Sequence, residues 1–267
     1  MIRMSFRSVV TALAAFAIAG CSRATSSTSL VMPQRALFLL AGQSNMAGRG
    51  SVEADDRLPI SGALMLDRTL AWVPATDPVH FDKPSAGVGP GRAFALALHE
   101  HDPSESIGLV PTAVGGSPIS SGEPGALDAA TKTHPYDDAI ARARAAMRAG
   151  TFRAILWHQG EADATPERSV AYAGRLRALI TRFRTELGDP NLPFVIGELG
   201  QFPRSGWSAA RERVDSVHRA VAATMSGVAY VSSDGLTHRG DSLHFDSASA
   251  RELGRRYAAA YLTLARR

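Results

Sequence analysis

The chain has 267 residues, 45% of them apolar and 20% charged, enough for one α/β domain with a substantial core. Its formal net charge of +4 comes largely from arginines scattered over predicted helices (Arg142, Arg144, Arg148, Arg175, Arg177, Arg182, Arg184), which reads as solvated helix faces and excludes a nucleic-acid footprint. Cys21 is the single cysteine, which excludes an internal disulfide.

The first residues have the pattern of a targeting segment. Arg3 and Arg7 form a positive start, and the apolar run Val9 to Ala19 is too short to span a bilayer. The run ends Ile18-Ala19-Gly20-Cys21, which resembles the lipobox of bacterial lipoproteins, in which the cysteine is acylated and becomes the mature N-terminus. The alternative is an ordinary cleaved signal peptide with an incidental cysteine. The lipoprotein reading predicts a protein held in the bacterial cell envelope through an N-terminal lipid anchor alone. Residues 1–21 are then the signal peptide, 22–34 a Ser/Thr-rich flexible tether, and 35–267 the folded domain.

The first predicted element is a buried strand at Leu37 to Ala41, LFLLA, that stops at Gly42. Gln43, Ser44 and Asn45 follow directly, so the strand presents small polar residues at its C-terminal edge, where open α/β sheets bind ligands. Ser44 is the candidate nucleophile, although Ser44 or Asn45 could instead cap a short helix. Ala63 to Leu66 is a short strand candidate, and Arg68 to Pro84 reads as a loop or hairpin over the sheet. The next segment, VGPGRAFALALHEH, switches to helical period, with Phe94, Leu96, Ala97 and Leu98 on its apolar side.

A second buried strand, Ile107 to Ala113, ends in Gly115-Gly116-Ser117. Asp137 or Asp138 would cap a helix running to Gly150. A third strand, Phe152 to Trp157, ends in His158-Gln159-Gly160-Glu161-Ala162-Asp163. Thr165 then caps a helix with Pro166 in its first turn and Val170, Leu176, Leu179, Ile180, Phe183 and Leu187 on one face. Phe194 to Leu199 is a fourth strand, Ser208 to Ser226 a helix, and Val228 to Val231 a fifth strand. A loop with Asp234, His238, Asp241 and His244 precedes the last helix, capped by Asp246 or Ser247. Alternating strands and helices imply a mainly parallel sheet with helices on both faces.

Such a sheet gathers the ends at Ser44, Gly116 and Gln159 along one edge. A hydroxyl attacks an ester only if a base removes its proton and donors hold the developing oxyanion. Ser44 supplies the hydroxyl and His244 the base. Asp241, three residues upstream of His244, is an acid placed to orient it. The backbone N–H groups of Ser44 and Gly116 and the side-chain amide of Gln159 are candidate donors. The spacing GQSNMAG around Ser44 is not a GxSxG elbow, which argues against the α/β-hydrolase fold.

GQSNM, GGS, WHQGEAD and DSLH, in this order, resemble the SGNH hydrolases, and more narrowly the sialate O-acetylesterase-like family that includes carbohydrate esterase family 6 acetylesterases. The resemblance runs from about Leu37 to the last helix. It implies a three-layer, flavodoxin-like α/β fold with a five-stranded parallel sheet, and hydrolysis of acetyl esters on a carbohydrate without a cofactor. By motif, Ser44 is the nucleophile, His244 the general base and Asp241 its orienting acid, with Ser44, Gly116 and Gln159 forming the oxyanion hole. Glu161 is the alternative acid, or orders the loop that carries Gln159. Asn45 and His158 are candidate substrate contacts, with helix capping open for Asn45 and core packing for His158. No metal is expected, since His238 and His244 lack ligand spacing and no cysteine is available to join them.

Overall fold

The computed structural model describes residue 1, residues 34–202 and residues 207–266. The predicted signal segment, Cys21 and the tether up to Pro33 lie outside the described residues. The chain divides into Met1–Met32 and Pro33–Arg267, and all the described elements belong to the second unit. In chain order they are β1 (Arg35–Gly42), α1 (Ser44–Ala47), β2 (Ala63–Leu66), β3 (Trp72–Pro74), α2 (Pro90–His101), β4 (Ile107–Pro111) and α3 (Pro135–Ala146). Then come β5 (Gly150–His158), α4 (Pro166–Ser169), α5 (Tyr172–Glu186), β6 (Phe194–Gly197), α6 (Ala209–Thr224), β7 (Val228–Val231) and α7 (Ser247–Ala265).

The strands form one sheet in the order β3-β2-β4-β1-β5-β6-β7, parallel throughout except for β3. The expected five-stranded parallel sheet is therefore a seven-stranded mixed one. β2 joins β4 in parallel, and β3 folds back antiparallel on β2. The turn between them is built by one side chain: Asp67 Oδ1 accepts from Thr69 N (2.8 Å) and Ala71 N (2.9 Å). Three residues of strand are too few to show a period of two, so β3 left no pattern in the sequence.

β1 is paired on both sides and buried on both faces, which is why its sequence is apolar without alternation. Phe38 and Leu40 enter one core with Phe94 and Leu98 of α2 and Leu253 and Tyr257 of α7. Leu37 and Leu39 enter the other, with Ile140 of α3, Leu176 and Phe183 of α5 and Val214 of α6. Sheet and two helical layers thus make three layers. Each fully buried side chain of this kind contributes about 1.5–3 kcal/mol relative to exposure.

Several helix boundaries differ from expectation. Pro135 opens α3, so Asp137 and Asp138 lie in its first turn, acting on the helix dipole and not as caps. α3 ends at Ala146, and Gly150 instead begins β5 beside Arg35. Thr165 caps as expected, accepting from Arg168 N (3.3 Å), but the helix breaks after Ser169 and leaves Val170 71% exposed. Leu96 of α2 is also exposed, because the seam toward the sheet runs through Phe94, Ala95 and Leu98.

One backbone feature sets the edge of the sheet. Gly42 has φ +128°, and a Cβ there would lie 2.1 Å from the His158 carbonyl oxygen. Only glycine allows β1 to remain paired with the end of β5 while the chain turns into α1.

Candidate active site

Ser44 is the first residue of α1, a single turn at the C-terminal end of β1, and is 6% exposed. The N-cap of α1 is Gln43, without a side-chain capping bond, so neither Ser44 nor Asn45 caps it. His244 Nε2 lies 3.0 Å from Ser44 Oγ, across 200 residues of chain. His244 Nδ1 lies 2.8 Å from Asp241 Oδ2. The other carboxylate oxygen of Asp241 accepts from Leu243 N (3.0 Å) and His244 N (2.8 Å). Burial alone would raise the Asp241 carboxyl, but the His244 N–H and ring and the Leu243 N–H hold it down, at about 2.

That charge fixes the tautomer. An ionised carboxylate only accepts, so Nδ1 of His244 carries the proton and donates it to Asp241. In the neutral ring Nε2 is then left bare and accepts from the Ser44 hydroxyl. The loop is shaped by His238, whose Nδ1 accepts from Gly240 N and Ser242 N, both at 3.0 Å. Those bonds occupy the ring nitrogen nearest the loop, so His238 builds the turn that carries Asp241 and His244. Ser242 takes φ +54° within that turn.

The N–H groups of Ser44 and Gly116 are among those that make no hydrogen bond to the protein within the described residues. The preceding amide, Gly115 N, donates to Asp82 Oδ2 (2.8 Å), and the same oxygen takes Arg49 Nη2 at 2.7 Å. This buried pair pins the turn that presents Gly116, which has φ +84° and is open above its Cα except for Lys83 Nζ, 3.9 Å from a built Cβ. Glycine there gives the turn without strain and leaves room for an acyl group.

Gln159 is a correction. Its side-chain nitrogen donates to Asp163 Oδ2 (2.6 Å) and Ser117 O (3.2 Å), which uses both amide hydrogens. Its oxygen accepts from Tyr172 OH (2.9 Å), and the same hydroxyl lies 2.8 Å from His218 Nε2. The amide is therefore committed to a buried network and offers no free donor to Ser44. Asn45 and His158, expected against substrate, are 3% and 0% exposed and face inward. Asn45 bonds to Glu161, Leu243 and Phe245, and His158 packs between Glu161 and Tyr257. Of the two candidate acids, Asp241 is the one on the His244 ring; Glu161 Oε1 is taken by Asn45 at 2.5 Å.

A cleft of about 470 Å³ past the end of β4 is lined by Asp82, Thr112, Val114, Thr131, Thr133 and Arg142, among others, but not by Ser44, Gly116 or His244. No sequence pattern marked it, since its walls come from five separate segments.

Residues 34–263 match the family described as carbohydrate esterase, sialic acid-specific acetylesterase. A protein of Arabidopsis thaliana described as a "Probable carbohydrate esterase" is 33% identical over 254 residues, covering 87% of this chain and 92% of that one. Its X-ray structure superposes with a TM-score of 0.76 at 30% identity, over 86% of this chain and 99% of that one. NanS shares the fold at a TM-score of 0.73 and 19% identity, over 87% and 98% of the two chains. So does XAC1771, a carbohydrate acetylesterase from Xanthomonas citri, at 0.67 and 21%, over 86% of this chain and 57% of that one. The chain belongs to the carbohydrate esterase, sialic acid-specific acetylesterase family and is a carboxylic ester hydrolase.

Proposed function

We propose that the protein removes O-acetyl groups from a carbohydrate, with Ser44 as nucleophile, His244 as general base and Asp241 as the acid that orients it. The observation that carries this reading is the unbroken line from Asp241 through His244 to Ser44, at 2.8 Å and 3.0 Å. Ser44 attacks the acetyl carbonyl as its proton passes to His244 Nε2. The Ser44 and Gly116 N–H groups hold the oxyanion, and His244 returns the proton to the departing sugar oxygen. An acetyl-enzyme remains; water, deprotonated by the same nitrogen, releases acetate. General base catalysis contributes ~10²–10⁴-fold and each oxyanion donor on the order of 3 kcal/mol.

Acetate release from a panel of acetylated xylan, acetylated sialosides and other acetylated glycans tests the substrate class. With 4-nitrophenyl esters, kcat/KM should fall by about tenfold or more from acetate to butyrate, as in a site that rejects added methylenes. A rate that rises with acyl length would point to a lipase-like enzyme instead. We also propose that Cys21 carries the lipid anchor. Cys21→Ser should move the protein from the membrane to the soluble fraction of the cell envelope; unchanged fractionation would contradict it.

A further inference from the structure

Asn45 follows Ser44 directly, and its side chain reaches to the loop of His244. Its Nδ2 donates to the Leu243 carbonyl (3.1 Å), and its Oδ1 accepts from Phe245 N (3.2 Å). One amide therefore grips the backbone on both sides of His244. The grip exists in only one of the two orientations of that amide. Turned over, its oxygen would meet the Leu243 carbonyl and its nitrogen the Phe245 N–H.

The Leu243 carbonyl and the Phe245 N–H already favour that orientation, and Glu161 is placed to reinforce it. The second hydrogen of Asn45 Nδ2 points to Glu161 Oε1 at 2.5 Å. The Glu161 side chain is 4% exposed, and the ring of His158 lies beside it, Nε2 at 3.6 Å. A carboxylate buried so deeply is unfavourable unless neighbouring groups compensate it, and the buried Arg211 adds a favourable charge at longer range. Burial pushes its pKa up, while His158 and Asn45 pull it down, to about 2. It is thus acceptor-only and tolerates nitrogen, not oxygen, from Asn45. Its backbone is held in turn, since Ala162 N donates to Gln43 Oε1 at 3.2 Å. The Phe245 ring packs edge-on against His158, 5.6 Å between centroids, which anchors the far side of the loop.

We propose that Glu161, acting through Asn45, is a positioning residue for the reaction: it locks the Asn45 amide in the orientation that holds the His244 backbone within reach of Ser44. This rests on the esterase reading above. It assigns Glu161 neither to the His244 ring nor to the Gln159 loop, but to the chain on either side of His244.

Glu161→Gln keeps the volume and weakens the lock, because a glutamine can meet Asn45 in either orientation and only the Leu243 and Phe245 backbone groups then favour one of them. The expected result with 4-nitrophenyl acetate is a kcat about 10- to 100-fold lower, as for misplacement of a reacting group by up to about 1 Å, with KM within about twofold. A merely structural role would act independently of Asn45, so a double-mutant cycle decides. In an Asn45→Ala background the same Glu161→Gln change should alter kcat by less than about threefold. A full effect in both backgrounds, or none in the parent, overturns the proposal. Should Glu161→Gln not yield folded protein, Asn45→Asp is read in its place. It matches asparagine in size, repels Glu161 and cannot donate to Leu243, so kcat should fall at least as far; a parental kcat overturns the proposal. Ser44→Ala, measured alongside, separates the two claims. If it is inactive while Glu161→Gln is normal, only the positioning role fails; if it is as active as the parent, the esterase reading beneath it fails.

Discussion

Ser44→Ala lowers kcat for 4-nitrophenyl acetate by roughly 10⁴- to 10⁶-fold, the range expected when the nucleophile of a cooperating set is removed. The change deletes one oxygen, which is 3.0 Å from His244 Nε2, and leaves α1 and its ties to β1 intact. The lost hydrogen bond is worth about 0.5–1.5 kcal/mol. In a chain of this size that corresponds to a thermal midpoint within roughly 2–6 °C of the parent. Activity and stability are thus separable at this position. Residual turnover would come from the Ser44 and Gly116 N–H groups, which the substitution keeps. Stopped assays for kcat and a thermal melt check both halves.

Asp241→Asn has the next largest effect, an expected loss in kcat of roughly 10³- to 10⁴-fold. The reason is the tautomer. Asparagine keeps the oxygen that accepts from Leu243 N and His244 N, so the loop keeps its shape. In place of the second oxygen it presents an N–H₂ to His244 Nδ1. The ring must then carry its proton on Nε2, where it cannot take one from Ser44. Glu161→Gln should be milder, about 10- to 100-fold, because it loosens the loop and leaves the tautomer alone. The reverse ranking would assign the orienting role to Glu161. The pH dependence follows from sign. Asp241 is depressed from 3.8 to about 2 in the fold, so its stabilising contribution is present above the ordinary value and lost as pH falls through about 2. Rate–pH profiles of the parent should therefore show no limb from Asp241 above about pH 4.

What the sequence disclosed depended on how local the signal was. β1 and β4 are legible because a strand buried on both faces is a continuous apolar run, β5 because its second half is one, and glycine marks where each yields to the site. Asp241 and His244 are legible because their contact spans only three residues. Gln159 misled because an amide reads the same whether it faces an ester or a buried acid. Its fate is decided by Asp163 and by Tyr172, brought in by a helix. The work of Asn45 was invisible because its partners, Leu243 and Phe245, are about 200 residues away. The break at Val170 has the same character: the apolar period continues through it, and only the packing of α5 shows that the chain turned outward.

The central claim is that one hydroxyl, made nucleophilic by one imidazole, takes the acyl group. Labelling with a serine-directed phosphonate, followed by peptide mass mapping, tests it most directly. The account predicts a single adduct on the peptide containing Ser44, absent from Ser44→Ala and formed far more slowly in His244→Ala. Ester hydrolysis that continues with Ser44 unlabelled, or an adduct on another residue, would contradict it.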